Sequence, residues 1–569
     1  MIEFAVNPGY ALLAGALAAL TAPQAWRGAI ALAASLGALA LAFTPSFGQH
    51  AAFAQIGLDV VPLRLDALSQ TFGVLFALVS IMLALHGAAP RVRAETGALL
   101  VLAGGALSAV YAGDFLSFVA AAELSTLAAV ALLLLREEWA AQEMGMRLLG
   151  WQALSSILFL SGAAFSIGMT GEAVFERLSP ATPGGALILA ALGVKAGFPI
   201  AHVWLKEALP RATAAGGAAI AAYTTMLGVY GLARGYAGEP MLVVVGLAMA
   251  ILPAVYAMAE DDLRRALAYG LVAQTGVMVA AIGIGSPLAM AAAAAHAFAT
   301  TLAFVLLAMA LGAVQARTGT ARACELGGLA RAMPATAALA CVAALSIAGA
   351  PGTAGFASLA LVLDATAQAH RSWAYYALIA AVGASVAHTA VKIPYAAFFA
   401  PARKPPPPPA LFGAPQLAMV YAAALIVVVG IAPQWLYAFL PPDAVRFSPY
   451  DWGRLMSHLQ FGAFAALAVA AARMARLYPV ETPGELRDVD RIIHGPLWTL
   501  AQRAGAALAG AHRLWRRGEQ RGAETIVRLA GRWTALADRP ARRLAADAAW
   551  ILIALSGLLA LSIAIAHLR

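Results

Sequence analysis

The feature that most constrains this chain is a succession of apolar runs of about 20 residues, separated by short stretches that carry charges, prolines or glycines. A run of this length crosses the hydrocarbon core of a bilayer as an α-helix, whereas a membrane β-strand needs only about 10 alternating residues. Apolar residues make up 62% of the sequence and charged residues 11%, which leaves too little polar surface for a soluble fold. The sequence therefore predicts an all-α polytopic membrane protein.

The apolar runs predict sixteen spans. Their approximate positions are 8–22, 28–45, 65–87, 96–111, 114–135, 148–169, 185–205, 214–234, 239–259, 265–284, 287–314, 333–366, 374–400, 413–437, 454–475 and 547–567. Most loop arginines and lysines fall on one side of the membrane if the N-terminus lies outside. The positive-inside rule thus predicts an outside N-terminus and, with an even number of spans, an outside C-terminus.

Glycine and proline interrupt two of these helices. The seventh has Gly193, Gly197 and Pro199 around a lysine, and the twelfth has GAPGTAGF at 349–356. Two breaks five helices apart are typical of transporters built from inverted repeats, whose freed backbone groups line a wet cavity. The alternative is that glycine and proline are simply common in membrane helices.

These observations predict about 14 core transmembrane helices in two inverted five-helix repeats with broken helices 7 and 12, followed by a C-terminal lateral amphipathic helix and a final span. Arg recurs among Leu, Ala and Trp in the lateral segment, which either binds lipid headgroups or braces neighbouring subunits. The predicted boundaries are 1–95 for helices 1–3, 96–236 for the first repeat, 237–400 for the second repeat, 401–475 for a Pro-rich linker with helices 14–15, 476–546 for the Arg-rich segment and 547–569 for the last helix.

The net charge of +9 suits contact with anionic lipid, and the arginines are not part of a nucleic-acid recognition module. We therefore expect the lipid bilayer, and no nucleic acid, as a partner. The two cysteines, Cys324 and Cys341, form no CxxC motif, so we expect no metal and no cofactor. The N-terminal MIEFAVNPG has an acid in place of a basic region and does not resemble a cleaved signal peptide.

Two charges lie inside predicted spans of the first repeat. Glu123 is in the middle of the fifth helix, and Lys195 is at the break of the seventh. An ionisable group inside a span costs roughly 2.5–3.5 kcal/mol on insertion scales, so each needs an explanation. An acid and a lysine that compensate each other can load and release a proton when one of them moves. The alternative is a static ion pair that fixes helix packing.

Six stretches resemble the proton-translocating membrane domain that Mrp-type Na+/H+ antiporter subunits share with the antiporter-like subunits of NADH-quinone oxidoreductase (complex I). They are LRLDALSQTF (63–72), AGDFLSFVAAAELSTLA (112–128), GVKAGFPIAHVWLKEALPRATAAGGA (193–218), GVYGLAR (228–234), DDLRRALAYGLVAQTGVM (261–278) and GAPGTAGF (349–356). The resemblance covers roughly residues 60–440 and looks strongest to the D-type subunit of the Mrp antiporters. The tail is similar to that of the largest antiporter-like subunit of complex I.

The resemblance implies that Glu123 and Lys195 are the family's fifth-helix glutamate and seventh-helix lysine, and that His296 is its eleventh-helix histidine. The resemblance implies further charges at three positions where this chain has Met226, Phe304 and Leu359. Thr300 lies between His296 and Phe304. The central relay has thus lost three charged positions.

Three other residues could replace these lost charges. Asp364 follows Leu359 by about one turn, and His388 and Lys392 share a face of helix 13. The alternatives are a solvated residue near a helix end for Asp364, and a packed or headgroup-bound pair for His388 and Lys392. The proposed proton relay therefore comprises Glu123, Lys195, His296, Asp364, His388 and Lys392.

The leading hypothesis is a membrane subunit that moves protons, in exchange for Na+ or another monovalent cation, within a Mrp-type antiporter or complex I-like assembly. Its expected partners are the other membrane subunits of that assembly, and its expected location is the bacterial inner membrane. A second hypothesis is a scaffold subunit that keeps the fold but no longer translocates. A third, a redox subunit that binds heme or quinone, lacks persuasive histidine pairs.

Overall fold

The computed structural model describes residues 6–50, 52–55, 58–87, 93–405, 408, 412–440 and 446–475. The predicted Arg-rich segment, 476–546, and the predicted final span, 547–569, lie outside the described residues. Every other predicted span coincides with a helix, and the twelve long helices among the described residues are apolar and long enough to cross a membrane.

The described helices of nine or more residues, numbered here in chain order, are α1 (Gly9–Thr21), α2 (Gln24–Leu41), α3 (Ala67–His86), α4 (Arg93–Val110), α5 (Phe115–Leu134), α6 (Trp139–Thr170), α7a (Pro183–Ala196), α7b (Val203–Arg211), α8 (Ala214–Gly235), α9 (Pro240–Ala259), α10 (Leu263–Ile284), α11 (Pro287–Thr318), α12a (Pro334–Ile347), α12b (Ala354–Gln368), α13 (Ser372–Phe399), α14 (Ala414–Ile431) and α15 (Trp452–Met474). Helices α8, α10 and α11 are almost wholly buried, whereas α2 and α15 are largely exposed at the periphery. The core therefore lies around the centre of the two predicted repeats.

Four short strands lie between α2 and α3 and depart from the all-α prediction. They are β1 (Gly48–His50), β2 (Phe53–Gln55), β3 (Leu58–Val60) and β4 (Leu63–Leu65). β1 pairs with β4 and β2 pairs with β3, both antiparallel. Strands of three residues are too short to show the alternation by which a strand is recognised in a sequence.

The same helix-capping device occurs at the start of α5 and of α10. The Asp114 side chain accepts hydrogen bonds from the backbone N–H groups at the start of α5, and Asp262 does so for α10. Each aspartate also forms an isolated antiparallel bridge to the segment after the next helix, Asp114 with Val174 and Asp262 with Arg322. These matching contacts relate the two halves of the chain at a spacing of five helices.

Helix lengths repeat at the same spacing. α6 and α11 each have 32 residues and end at a glycine in the left-handed conformation, Gly171 and Gly319. α7a and α12a each have 14 residues, and both helices are broken, as the sequence predicts. A π-helical turn follows in the next helix of each half, Ile220–Thr224 in α8 and Val386–Val391 in α13.

The break in α7 is closed by its own neighbouring residues. Gly197 ends α7a with a φ of 81°, a conformation that glycine adopts without steric cost. The freed carbonyl of Val194 accepts a hydrogen bond from the Trp204 indole at 2.9 Å, and that of Gly193 accepts one from the Phe198 backbone at 2.8 Å. The break therefore buries no unpaired carbonyl at these two residues.

The break in α12 uses the same backbone chemistry with different side chains. Gly349 and Gly352 have φ values of 70° and 84°. The Ser346 hydroxyl accepts a hydrogen bond from the Gly355 backbone N–H at 3.1 Å, and the Thr353 hydroxyl caps the first turn of α12b. A Cβ on Gly430 of α14 would lie 2.3 Å from the Gly352 carbonyl, so α14 packs tightly against this break.

Candidate functional site

Lys195 lies in the last turn of α7a, immediately before the break. Its side chain is buried, with 4% of its surface exposed. The Nζ atom donates hydrogen bonds to Gln152 Oε1 of α6 at 2.9 Å and to Thr126 Oγ1 of α5 at 3.1 Å. The negative end of the α7a dipole favours a cation at this position. Three helices thus converge on one ammonium group.

Glu123 lies on α5, three residues before Thr126, and is half-buried. Its carboxylate accepts a hydrogen bond from the Ser156 hydroxyl of α6, which also lies 2.8 Å from the Gln152 backbone carbonyl. No salt bridge joins Glu123 to Lys195 among the described residues. The direct ion pair expected from the sequence is therefore not formed, and one turn of α6 lies between the two charges.

This arrangement holds a charge inside the membrane domain without a neutralising salt bridge. A charged side chain inside a span costs roughly 2.5–3.5 kcal/mol on insertion scales. The neutral oxygens of Gln152 and Thr126 solvate the Lys195 ammonium but do not cancel its charge. Such a lysine contributes little as a packing element, which favours a functional role.

His296 lies near the middle of α11 and joins three helices of the second half. Its Nε2 lies 2.8 Å from Gln274 Oε1 of α10, and its Nδ1 lies 3.1 Å from Ser358 Oγ of α12b. Only 2% of the residue is exposed. Both ring nitrogens thus have neutral polar partners, which fix the orientation of the ring.

The three positions where relatives often carry charges are buried and apolar in the structure. Met226 is 0% exposed, and Phe304 and Leu359 are each 2% exposed. Next to Met226, the buried hydroxyls of Thr224 and Thr225 have no hydrogen-bond partner within the described part of the chain. The side chains at these three positions cannot themselves carry a proton.

Lys392 of α13 binds the C-terminus of α9. Its Nζ donates to the backbone carbonyls of Ala257, Met258 and Glu260 at 3.2, 2.8 and 2.5 Å. A lysine at the negative end of a helix dipole that satisfies terminal carbonyls is a helix cap. This contact supports the packed alternative for Lys392, and its relay role stays a prediction.

His388 lies one turn before Lys392, within the π-helical turn of α13. Its Nδ1 is 2.6 Å from the Thr389 hydroxyl, and its buried Nε2 has no hydrogen-bond partner among the described residues. A Cβ on Gly270 of α10 would lie 2.3 Å from the same Thr389 hydroxyl. Thr389, which contacts His388, therefore faces α10 within the core.

Asp364 lies about two turns along α12b from Ser358, towards the end of that helix. Its carboxylate pairs with Arg454 of α15 at 3.3 Å and accepts a hydrogen bond from Gln368 at 2.8 Å. The structure therefore does not bring Asp364 beside His296. Its position near a helix end matches the alternative that the sequence left open.

Several residues of the site are absent from the sequence prediction. Gln152, Thr126, Ser156 and Gln274 contact the charged groups but are uncharged. A polar residue at a buried position of a long apolar helix is the signal that could have identified them, because such a group must find a partner.

An ion pair between the residue that precedes α3 and the end of α8 joins two of the sequence motifs. Arg234, at the end of GVYGLAR, binds Asp66 of LRLDALSQTF with a hydrogen bond of 3.0 Å from Nη2. Burial alone would raise the pKa of the Asp66 carboxyl, but the hydrogen bond and positive charge of Arg234 outweigh it and hold that pKa below its ordinary value. The pair fixes the start of α3 to the end of α8.

In the described residues, no group of three or more His, Cys, Asp and Glu side chains could hold a metal ion. Cys324 and Cys341 are free thiols.

Comparison with known proteins connects this geometry to a family. The family described as NADH:quinone oxidoreductase/Mrp antiporter, TM matches residues 112–385, which include both breaks. NADH-quinone oxidoreductase subunit N of Desulforudis audaxviator is 32% identical over 299 residues, which are 48% of this chain and 59% of that protein. The A/B subunit of a probable K(+)/H(+) antiporter of Rhizobium meliloti is 29% identical over 402 residues, covering 63% of this chain and 39% of that protein. The chain thus spans less than two thirds of either relative.

This chain covers more than two thirds of the length of another relative and of a chain in a solved structure. NADH-quinone oxidoreductase subunit N of Cereibacter sphaeroides is 31% identical over 325 residues, which are 55% of this chain and 71% of that protein. A chain of the Mrp complex from Dietzia sp. DQ12-45-1b has the same fold, with a TM-score of 0.65 and 20% identity over 79% of this chain and 95% of that chain. This chain is therefore a multi-pass membrane protein that belongs to the NADH:quinone oxidoreductase/Mrp antiporter transmembrane family.

Proposed function

We propose that this chain translocates protons across the membrane as one subunit of a Mrp-type antiporter or complex I-like assembly, with Lys195 as the group that loads and releases the proton. In an antiporter assembly the exchanged ion would be Na+ or another monovalent cation. The single observation that carries this proposal is the burial of Lys195 at a helix break, held by two neutral oxygens and not by a carboxylate.

A proton needs a path to and from Lys195, and the neighbouring polar groups supply part of one. Glu123 is half-buried and reaches Lys195 through Ser156 and Gln152 of α6. The Gln152 Nε2 atom is buried without a hydrogen-bond partner among the described residues. A buried donor of this kind normally binds an ordered water, and water next to a lysine can pass a proton.

The path from the first half towards the second would run along similar unpaired groups. The Thr224 and Thr225 hydroxyls of α8 and the Nε2 atom of Gln274 in α10 are buried without partners in the part of the chain described by the structure. Gln274 contacts His296. Neutral groups that bind water can replace charged residues in a proton path, which would offset the apolar side chains of Met226, Phe304 and Leu359.

The proposed setting is the bacterial inner membrane, with the N-terminus outside and with other membrane subunits as partners. The positive-inside pattern supports the orientation. The fold shared with a chain of the Mrp complex supports membrane partner subunits. The scaffold hypothesis is not favoured, because a scaffold has no need of a buried lysine whose insertion into the membrane is costly.

Proton uptake by everted native membrane vesicles tests the proposal. The Lys195→Ala variant of the chain should abolish the part of the proton uptake that depends on this complex, while the complex still assembles. Lys404→Ala is the matched control, because Lys404 is 62% exposed in its side chain and lies on a surface ion pair. Normal uptake by an assembled Lys195→Ala complex would refute the proposal.

A further inference from the structure

A polar cavity of about 620 Å³ lies between the start of α11, the end of α12b and the start of α15. Its charged and polar lining includes Asp364, Gln368, Arg446, Ser448, Asp451 and Arg454. A space of this size has room for several water molecules. Polar side chains thus line much of this cavity, whereas Met226, Phe304 and Leu359 are buried apolar side chains.

Arg454 lines one side of this cavity. Its guanidinium contacts the Asp364 carboxylate at 3.3 and 3.4 Å and donates to the Ser448 carbonyl at 3.1 Å. The same group lies 4.5 Å from the centre of the Phe447 ring, a favourable cation–π contact. The ion pair is partly exposed, with 23% of the Asp364 and 35% of the Arg454 side chain accessible to solvent. Its opening therefore costs little free energy.

Behind this ion pair lies a histidine that the proton path described above does not use. His458 follows Arg454 by one helical turn, and its Nδ1 lies 3.1 Å from the Arg454 carbonyl. Its Nε2 is buried with no hydrogen-bond partner in the described residues. Its ring lies 5.1 Å from that of Phe356, in the first turn of α12b.

The first turns of α12b separate His458 from His296. Phe356 contacts His458, and Ser358, two residues later and therefore on roughly the opposite side of the helix, contacts His296. The break before α12b is bound by Tyr450, whose hydroxyl accepts a hydrogen bond from the Gly352 N–H at 3.1 Å. Polar groups thus continue from the cavity to the break in α12.

We propose that this cavity is a water-filled vestibule through which the second half of the chain exchanges protons with the aqueous phase, that the Asp364–Arg454 ion pair gates it, and that His458 carries the proton behind the gate. This inference rests on the proposed function and gives the second half an outlet that does not need a charge at Leu359. A proton accepted at His458 Nε2 passes to cavity water when Arg454 moves away from Asp364.

Cysteine accessibility tests the vestibule without depending on transport. The two native cysteines, Cys324 and Cys341, are first replaced by serine and alanine in the full chain. Native membranes that contain the His458→Cys variant are then treated with a charged, membrane-impermeant methanethiosulfonate. The rate of thiol modification is measured by mass spectrometry. Adding Arg454→Gln should accelerate modification severalfold, because it opens the gate.

The control is Leu459→Cys, one residue further along α15 on its exposed apolar surface. A thiol facing lipid forms little thiolate and should stay unmodified with or without Arg454→Gln. The vestibule proposal is wrong if His458→Cys reacts no faster than Leu459→Cys, both with and without Arg454→Gln. An equal rate with and without Arg454→Gln overturns the gate.

Proton uptake then separates this inference from the proposed function. His458→Ala should lower uptake about tenfold, within the range expected for loss of a proton-transfer group. If His458→Ala and Asp364→Asn both keep full uptake while Lys195→Ala abolishes it, the second-half outlet is wrong and the proposed function stands. Full uptake by Lys195→Ala as well overturns the proposed function itself.

Discussion

The two broken helices differ at the second-to-last residue of their first segments. α7a and α12a both have 14 residues, and the thirteenth is Lys195 in one and Ser346 in the other. Lys195 reaches out to α5 and α6, whereas the Ser346 hydroxyl turns back to the Gly355 N–H across its own break. The break can therefore form without a charge, so the charge at Lys195 is not needed for folding this motif.

The helices that pack beside the two breaks also differ in the polar residues that they carry. α6 and α11 have equal lengths, and Gln152 and Ser156 of α6 match Thr300 and Phe304 of α11 by position. In the same way Glu123 of α5 matches Leu271 of α10. At the matching positions the first half has an acid, an amide, a hydroxyl and a lysine, whereas the second half has two apolar side chains and two hydroxyls. We infer that the first half transfers protons through charged residues, whereas the second half relies on a histidine and neutral polar groups.

The largest effect on this comparison is expected from Gln152→Leu. It removes a hydrogen bond to a buried ammonium, and bonds of this kind contribute about 1.5–3 kcal/mol, so proton uptake should fall by about one to two orders of magnitude. Thr300→Leu, at the matching position of α11, should leave uptake unchanged. Equal losses in the two variants would show that the halves do not differ in function.

Glu123→Gln should have the next largest effect. The amide keeps a hydrogen-bond acceptor for Ser156 but cannot accept a proton, so uptake should fall about tenfold or more while assembly stays normal. Glu176→Gln changes a carboxylate whose side chain is 61% exposed and serves as the control. Uptake unchanged by Glu123→Gln would remove Glu123 from the path.

Asp66→Asn should affect stability more than transport. It weakens the link between α3 and α8, and the free energy of unfolding in detergent should fall by about 1–3 kcal/mol. Because the pKa of Asp66 is lowered in the fold, its contribution is fully present above about pH 4 and is lost as the pH falls through the folded-state pKa. Thermal unfolding at several pH values measures both effects. An acid-induced loss of stability that is the same in the variant would contradict this assignment.

Lys392→Met should have the smallest effect on transport. It removes the cap of α9, so the complex should be less stable, but uptake per assembled complex should stay within about twofold. Proton uptake is measured and divided by the amount of assembled complex. Complete loss of uptake with normal stability would assign Lys392 to the proton path.

The broken helices could be predicted because their causes are local in the sequence. Apolar runs set the spans, and glycines such as Gly197 and Gly349 supply the left-handed conformation that ends a helix segment. The burial of Lys195 also follows from its place in an apolar run. The strands between α2 and α3 have only three residues each and leave no periodic signal.

The partners of the charged residues could not be predicted, because they depend on how distant helices pack. Gln152 is 43 residues from Lys195, and Arg454 is 90 residues from Asp364. An uncharged amide in a 32-residue helix looks like any other tolerated polar residue until the packing is known. The capping role of Lys392 depends likewise on where α9 ends.

The most direct test of the central claim is proton uptake by the Lys195→Arg complex. Arginine keeps the positive charge and can donate to Gln152, but its guanidinium stays protonated and cannot release a proton. If Lys195 carries the proton, the assembled Lys195→Arg complex should be as inactive as Lys195→Ala. Normal uptake by Lys195→Arg would show that only a fixed charge is needed there and would contradict the account.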